Sequence, residues 1–223
     1  MKIKNELGSS ATTKFNIKKA SAKDINRIIK SLDSKKATGP DGIPPKIIKL
    51  SANIIDYHLT NIINKDIEKC AFPDNAKIAS VSPIFKKDDR TKIKNYRSVS
   101  ILNVLSKVYE KFVYESLIDY TNNFLSEFIS AYRKKYGTNH VLTRLVEGWK
   151  QNLDKKQYVG SVLMDLSKAF DCIPHDLLIA KMEAYGFSYD SLTFFYSYLK
   201  RRQQRVKVSN TQSSYQTLVS GVP

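Results

Sequence analysis

The sequence predicts an α+β fold, helix-rich in its first half, with its strands gathered later. Two observations carry that class. Apolar residues recur at helical spacing around 25–32, 47–67, 102–117 and 141–153. Strand-like runs at 78–85, 158–164, 205–208 and 215–219 never alternate regularly with those helices. A doubly wound parallel sheet needs regular β-α-β alternation, so that architecture is excluded.

Ser21 with Asp24 three residues on reads as a helix start, and Ile25, Ile28, Ile29 and Leu32 form its apolar stripe. Thr38-Gly39-Pro40-Asp41-Gly42 breaks the helix with strong turn chemistry. One long helical pattern is expected from Ile47 to Ile67, ended by Pro73. Ile78–Phe85 reads as a strand and Lys86–Asn95 as a basic loop. A second amphipathic helix runs through Leu102, Val108, Phe112 and Leu117, and a third, capped by Thr138, through Val141, Leu145, Trp149 and Leu153. Tyr158–Met164 reads as a buried strand ending at Asp165. Helices follow at Asp176–Tyr185, stopped by Gly186, and at Leu192–Leu199. Arg205–Val208 alternates like a hairpin strand, with Tyr215–Val219 as its partner.

The 223 residues carry 37 Lys and Arg against 21 Asp and Glu, a formal net charge of +16. That excess points to a polyanionic partner, since Lys and Arg on phosphate give salt-sensitive, sequence-independent binding. A basic membrane-surface helix would need its cations along one helical face. Here they cluster in turn-like stretches. No run approaches the roughly 18 apolar residues of a membrane span. Met1–Ser10 lacks the apolar core of a secretory signal, so an intracellular protein of nucleus or cytoplasm is expected. Cys70 and Cys172 make neither a disulfide framework nor a metal cluster.

The sharpest chemical feature is Val162-Leu163-Met164-Asp165-Leu166-Ser167-Lys168-Ala169-Phe170-Asp171. A carboxylate at the end of an apolar strand is costly unless paired or bound to a metal. Hard divalent cations take oxygen ligands of this kind. Spacing alone favours the plainer reading, an acid that simply ends a strand. Phe170 on its own reads as core packing, and the loop around Lys86 as a solvated basic face. Tyr132-Arg133-Lys134-Lys135-Tyr136 interleaves aromatics with cations and can touch a nucleic-acid backbone, although a solvated loop is the default.

Four blocks taken together are more specific. They are Lys36-Ala37-Thr38-Gly39-Pro40-Asp41-Gly42-Ile43-Pro44; Pro83-Ile84-Phe85-Lys86-Lys87 continuing to Asn95-Tyr96-Arg97 and Lys107-Val108-Tyr109-Glu110; Met164–Asp171 with Pro174-His175; and Ser220-Gly221-Val222-Pro223. In this order they resemble the reverse transcriptase (RNA-directed DNA polymerase) of jockey-like non-LTR retrotransposons, from about Phe15 onward. The resemblance implies a right-hand polymerase: fingers, then a partial palm with a small antiparallel sheet. It divides the chain into a helical lead-in at 1–70 and a reverse transcriptase domain at 71–223. It implies RNA template, DNA primer, deoxynucleoside triphosphates and two magnesium ions. Asp165 matches the first catalytic aspartate, with the Leu166 carbonyl as a further metal ligand. Phe170 matches the aromatic beneath the incoming sugar, where a flat side chain collides with a 2′-hydroxyl. Lys86, Lys87 and Arg97 match the triphosphate grip, although Ser98 stands where the family usually has proline. Lys200, Arg201, Arg202, Arg205 and Lys207, with Arg133 and Lys134, are the expected nucleic-acid contacts. The family's Asp-Asp hairpin should follow Pro223, so the 223-residue chain by itself is expected to be inactive. The runner-up function is a basic RNA- or DNA-binding remnant without catalysis.

Overall fold

The computed structural model describes residues 14–133 and 135–222. They divide into two compact units: residues up to Ile118 with those from Lys168 onward, and Asp119–Ser167.

In the larger unit, helix α1 (Ala22–Lys30) starts where its cap predicts. The Asp24 N–H donates to Ser21 Oγ at 3.2 Å, and the Ser21 hydroxyl donates to Asp24 Oδ2 at 2.6 Å, which holds that carboxyl below its ordinary range. Ile25, Ile28 and Ile29 are fully buried on its inner face. The expected long helix is two, α2 (Pro45–Leu50) and α3 (Ala52–Glu68), because the Ser51 hydroxyl turns back onto the carbonyls of Ile47 and Ile48. Nor does it run to Pro73. It stops at Glu68, and Cys70 takes a left-handed φ of 50°.

Strand β1 (Ile78–Phe85) has the expected bounds and pairs antiparallel with β2 (Tyr96–Leu102). Helix α4 (Val104–Thr121) follows at once. After the smaller unit come α6 (His175–Ala184), α7 (Tyr189–Leu199) and β3 (Gln203–Val208). Strands β4 (Thr211–Gln212) and β5 (Gln216–Thr217) complete the set. The sheet order is β2-β1-β3-β4, with β5 also on β3. It is mixed, not wholly antiparallel: β1 and β3 are parallel, Ser80 opposite Arg205. Parallel neighbours need a long crossover, which the helices between β2 and β3 supply.

The core sits under these helices. Ile28, Ile63, Val108 and Phe194 are almost wholly shielded. Phe72 centres an aromatic cluster, 4.9 Å from Tyr109 and 4.9 Å from Tyr198. At its edge, the Asp66 Oδ2 is buried without a partner, and burial pushes that carboxyl up. A raised acid contributes its stability below its unfolded value and loses it as pH rises through the folded one. Asp66→Asn removes that loss. Its stability relative to wild type should therefore improve steadily as pH climbs through the carboxylate range, read by thermal melts across pH.

In the smaller unit, α5 (Thr138–Asp154) has Gly137, not Thr138, at its N-cap, and none of its residues is buried. The predicted buried strand at 158–164 is not formed. Val162, Leu163 and Met164 are 86–95% exposed and belong to no ladder. A strand exists only through its neighbours, and among the described residues none pairs with this segment.

Candidate functional site

The β1–β2 hairpin organises the candidate site in the larger unit. Its loop is fastened by its own groups. The Lys86 N–H donates to the Asn95 carbonyl at 2.9 Å, and the Asn95 amide donates to the Asp89 carbonyl at 2.7 Å. Thr91 donates twice to Asp89 Oδ1, lowering that carboxyl below its usual range. Arg90 lies over the Phe85 ring at 4.8 Å, and Lys92 reaches Asp89 at 3.5 Å.

These ties leave Lys86, Lys87 and Arg97 exposed, with no carboxylate partner among the described residues. Arg97 stands on the return strand opposite Ile84. Ser80 shares that side of β1 by strand alternation and faces Arg205 on β3. Arg97, Arg205 and Lys207 therefore mark one side of the sheet. Arg205 is braced against the Tyr215 ring at 4.8 Å. Cations held by a rigid scaffold, and not neutralised by it, are what phosphate binding requires.

The expected basic cluster does not survive as a unit. Arg202 is 1% exposed. Its guanidinium covers the Tyr198 ring at 4.7 Å, donates to the Tyr198 carbonyl at 3.2 Å and lies 4.0 Å from Glu110. It belongs to the core, because the inner side of the chain entering β3 meets α4 and α7 there. Lys200 is exposed over Tyr196, and Arg201 is exposed with a left-handed φ of 59°.

Phe170 lies in the turn that precedes α6 and is 53% exposed. That turn is held by residues near Pro223. The Val222 N–H donates to the Phe170 carbonyl at 3.0 Å and the Gly221 N–H to the Ile173 carbonyl at 2.9 Å. The Ser220 hydroxyl donates to the Asp171 carbonyl at 3.2 Å. Gly221 has φ +84°, and a Cβ there would lie 2.8 Å from the Asp171 carbonyl oxygen. The His175 Nε2 lies 2.8 Å from the Gly221 carbonyl. Sequence reasoning found the blocks but not this clasp, whose partners stand 46 residues apart.

The first block presses backbone to backbone on the β2–α4 junction. The Asp41 N–H donates to Asn103 Oδ1 at 3.2 Å, and Gly42 takes φ +73°. The turn is thus a brace on the hairpin's far end.

In the smaller unit, Asp165 and Leu166 are exposed on the unpaired segment. Arg133 donates to the carbonyls of Ser126 and Ile129 and lies 4.7 Å from the Tyr136 ring. Lys134 lies outside the described residues. One carboxylate and one carbonyl are oxygen donors of the right kind for magnesium, yet too few for two ions. Among the described residues no group of three or more His, Cys, Asp or Glu is placed to hold a metal. No described helix is long and apolar enough to cross a membrane.

The family described as reverse transcriptase (RNA-dependent DNA polymerase) matches residues 84–223. The chain is 30% identical over 211 residues to the probable RNA-directed DNA polymerase from transposon BS of Drosophila melanogaster, covering 93% of this chain and 23% of that protein. It is 26% identical over 203 residues to the RNA-directed DNA polymerase from mobile element jockey of Drosophila funebris, covering 90% and 22%. The Drosophila melanogaster jockey polymerase is 28% identical over 204 residues, with the same coverage. The chain spans less than a quarter of the length of these relatives.

Proposed function

Since the chain belongs to the reverse transcriptase (RNA-dependent DNA polymerase) family, we propose that it forms the fingers and first part of the palm of a jockey-like non-LTR retrotransposon polymerase. In this reading residues 1–70 are the helical lead-in and 71–223 the polymerase domain, working inside the cell on an RNA template and a DNA primer. The observation that carries it is the hairpin. Three cations without a carboxylate partner among the described residues, Lys86, Lys87 and Arg97, stand on the β1–β2 hairpin inside the family match.

Their task is to grip the triphosphate. Arg97 offers a planar fork to two phosphate oxygens, while Lys86 and Lys87 act as point charges. Charge that builds on the phosphates during transfer is stabilised by cations already in place. Phe170 lies under the sugar and excludes a 2′-hydroxyl by collision. Asp165 and the Leu166 carbonyl would be this chain's ligands toward magnesium, whose charge would offset that of the phosphates. The donor set among the described residues is incomplete for two ions. The 223-residue chain alone should therefore give no DNA synthesis in a magnesium-supplemented primer-extension assay.

Nucleotide binding tests the reading without needing turnover. The chain should bind a deoxynucleoside triphosphate saturably, and Arg97→Ala should weaken that binding about tenfold, the usual scale for a lost charge-assisted hydrogen bond. Calorimetric titration with dATP reads it. Under the second reading, a basic nucleic-acid binder, RNA is retained in gel shifts while dATP has no saturable site.

A further inference from the structure

We propose that His175 is a positioning residue for the sugar-discriminating wall. Its hydrogen bond to the Gly221 carbonyl clasps Ser220–Val222 onto the Phe170–Ile173 turn and so holds Phe170 in place. The inference rests on the role given to Phe170 above and extends it to a residue that never touches the nucleotide.

The geometry lies within the larger unit. A carbonyl oxygen accepts but cannot donate, so the 2.8 Å contact requires a proton on His175 Nε2. The neutral ring with that tautomer and the imidazolium both satisfy it, which makes the contact a strut and not a proton relay. His175 is the first residue of α6, directly after Pro174, so its ring is carried on a regular element. The far end of the strut is Gly221, whose left-handed φ and 2.8 Å approach to the Asp171 carbonyl leave no room for a side chain. Two backbone N–H groups beside it, Gly221 and Val222, donate to the carbonyls of Ile173 and Phe170. The histidine therefore sets the seat of a segment that bonds directly to the Phe170 backbone. Without the strut the segment loses the contact that fixes its tilt, and its two backbone bonds to Ile173 and Phe170 open more often. Phe170 then swings, and the wall against a 2′-hydroxyl softens.

The test compares dATP with ATP binding to the full 223-residue chain by calorimetry, in wild type, His175→Phe and His175→Gln. Phenylalanine keeps the ring and removes the donor, whereas glutamine returns an amide donor near the depth of Nε2. Wild type should prefer dATP, and His175→Phe should narrow that preference about fivefold, the scale of one net hydrogen bond. His175→Gln should restore it, and Phe170→Ala should abolish it and mask any further effect of His175→Phe. If His175→Phe weakens both nucleotides equally and leaves their ratio intact, the residue is only structural and the proposal is overturned. Amide exchange gives a reading free of nucleotide. Gly221 and Val222 should lose protection in His175→Phe and keep it in His175→Gln, and unchanged protection in His175→Phe also overturns the proposal. If wild type binds dATP and ATP equally, the assigned role of Phe170 falls and the inference falls with it.

Discussion

Arg202→Ala is expected to cost the fold about 3–5 kcal/mol, the range for breaking one partner out of a buried ion pair. The side chain is nearly sealed from solvent and joins three elements. Glu110 comes from α4, Tyr198 from α7, and Arg202 leads into β3. The Tyr198 hydroxyl donates to Glu110 Oε1 at 2.9 Å, and the Arg202 guanidinium lies over the same ring. Burial already pushes the Glu110 carboxyl up, with Tyr198 and Arg202 working against that rise. Removing the arginine leaves the acid one hydrogen-bond donor and a cavity. The network is not optimal, since the Arg202 Nη2 has no hydrogen bond. Replacing the pair together, as Arg202→Met with Glu110→Leu, should therefore recover most of the loss. Urea unfolding of the single and double variants separates the two cases. A double variant as unstable as the single would contradict the account.

Gly39→Ala should destabilise the same unit by about 2–3 kcal/mol, at the upper end of ordinary overpacking. Its Cβ would lie 2.7 Å from Asn103 Cα, 2.8 Å from the Leu102 carbonyl oxygen and 2.9 Å from Asn103 N. All three are backbone atoms, so no side chain can rotate away to make room. The displaced residue is also a hub. The Asn103 side chain accepts from the Asp41 N–H and donates to the Asn75 carbonyl, while its own carbonyl takes the Lys107 N–H at the start of α4. Moving Asn103 disturbs the end of β2 and the first turn of α4 together. The urea midpoint should fall with little change in slope. Gly42→Ala provides the contrast. Its Cβ would meet nothing within 4 Å, so only the left-handed φ of 73° is penalised.

Local chemistry was legible in the sequence wherever it decided the structure by itself. Ser21 capping Asp24, the Ile25–Ile29 stripe and the bounds of β1 all follow from spacing within a few residues. Thr38–Gly42 was legible as a turn, but not as a close approach to Asn103, because that contact is made 62 residues away. Ser51 interrupts the Ile47–Ile67 pattern through a hydroxyl that periodicity does not weigh. The apolar run at 158–164 signals burial, yet burial is a property of partners, and no strand among the described residues covers it. Arg202 failed for a related reason. In sequence it is one cation in Lys200-Arg201-Arg202, and only Glu110 and Tyr198 turn it inward. The triphosphate cations Lys86, Lys87 and Arg97 came from resemblance. Their placement on one hairpin is what the fold adds.

Photoaffinity labelling with a deoxynucleoside triphosphate that carries its reactive group on the γ-phosphate puts the proposed function to its most direct test. The account predicts crosslinks confined to residues 86–97, competed by unlabelled dATP and reduced by Arg97→Ala. Labelling spread over the basic surface, or labelling of the hairpin that dATP does not displace, would contradict it.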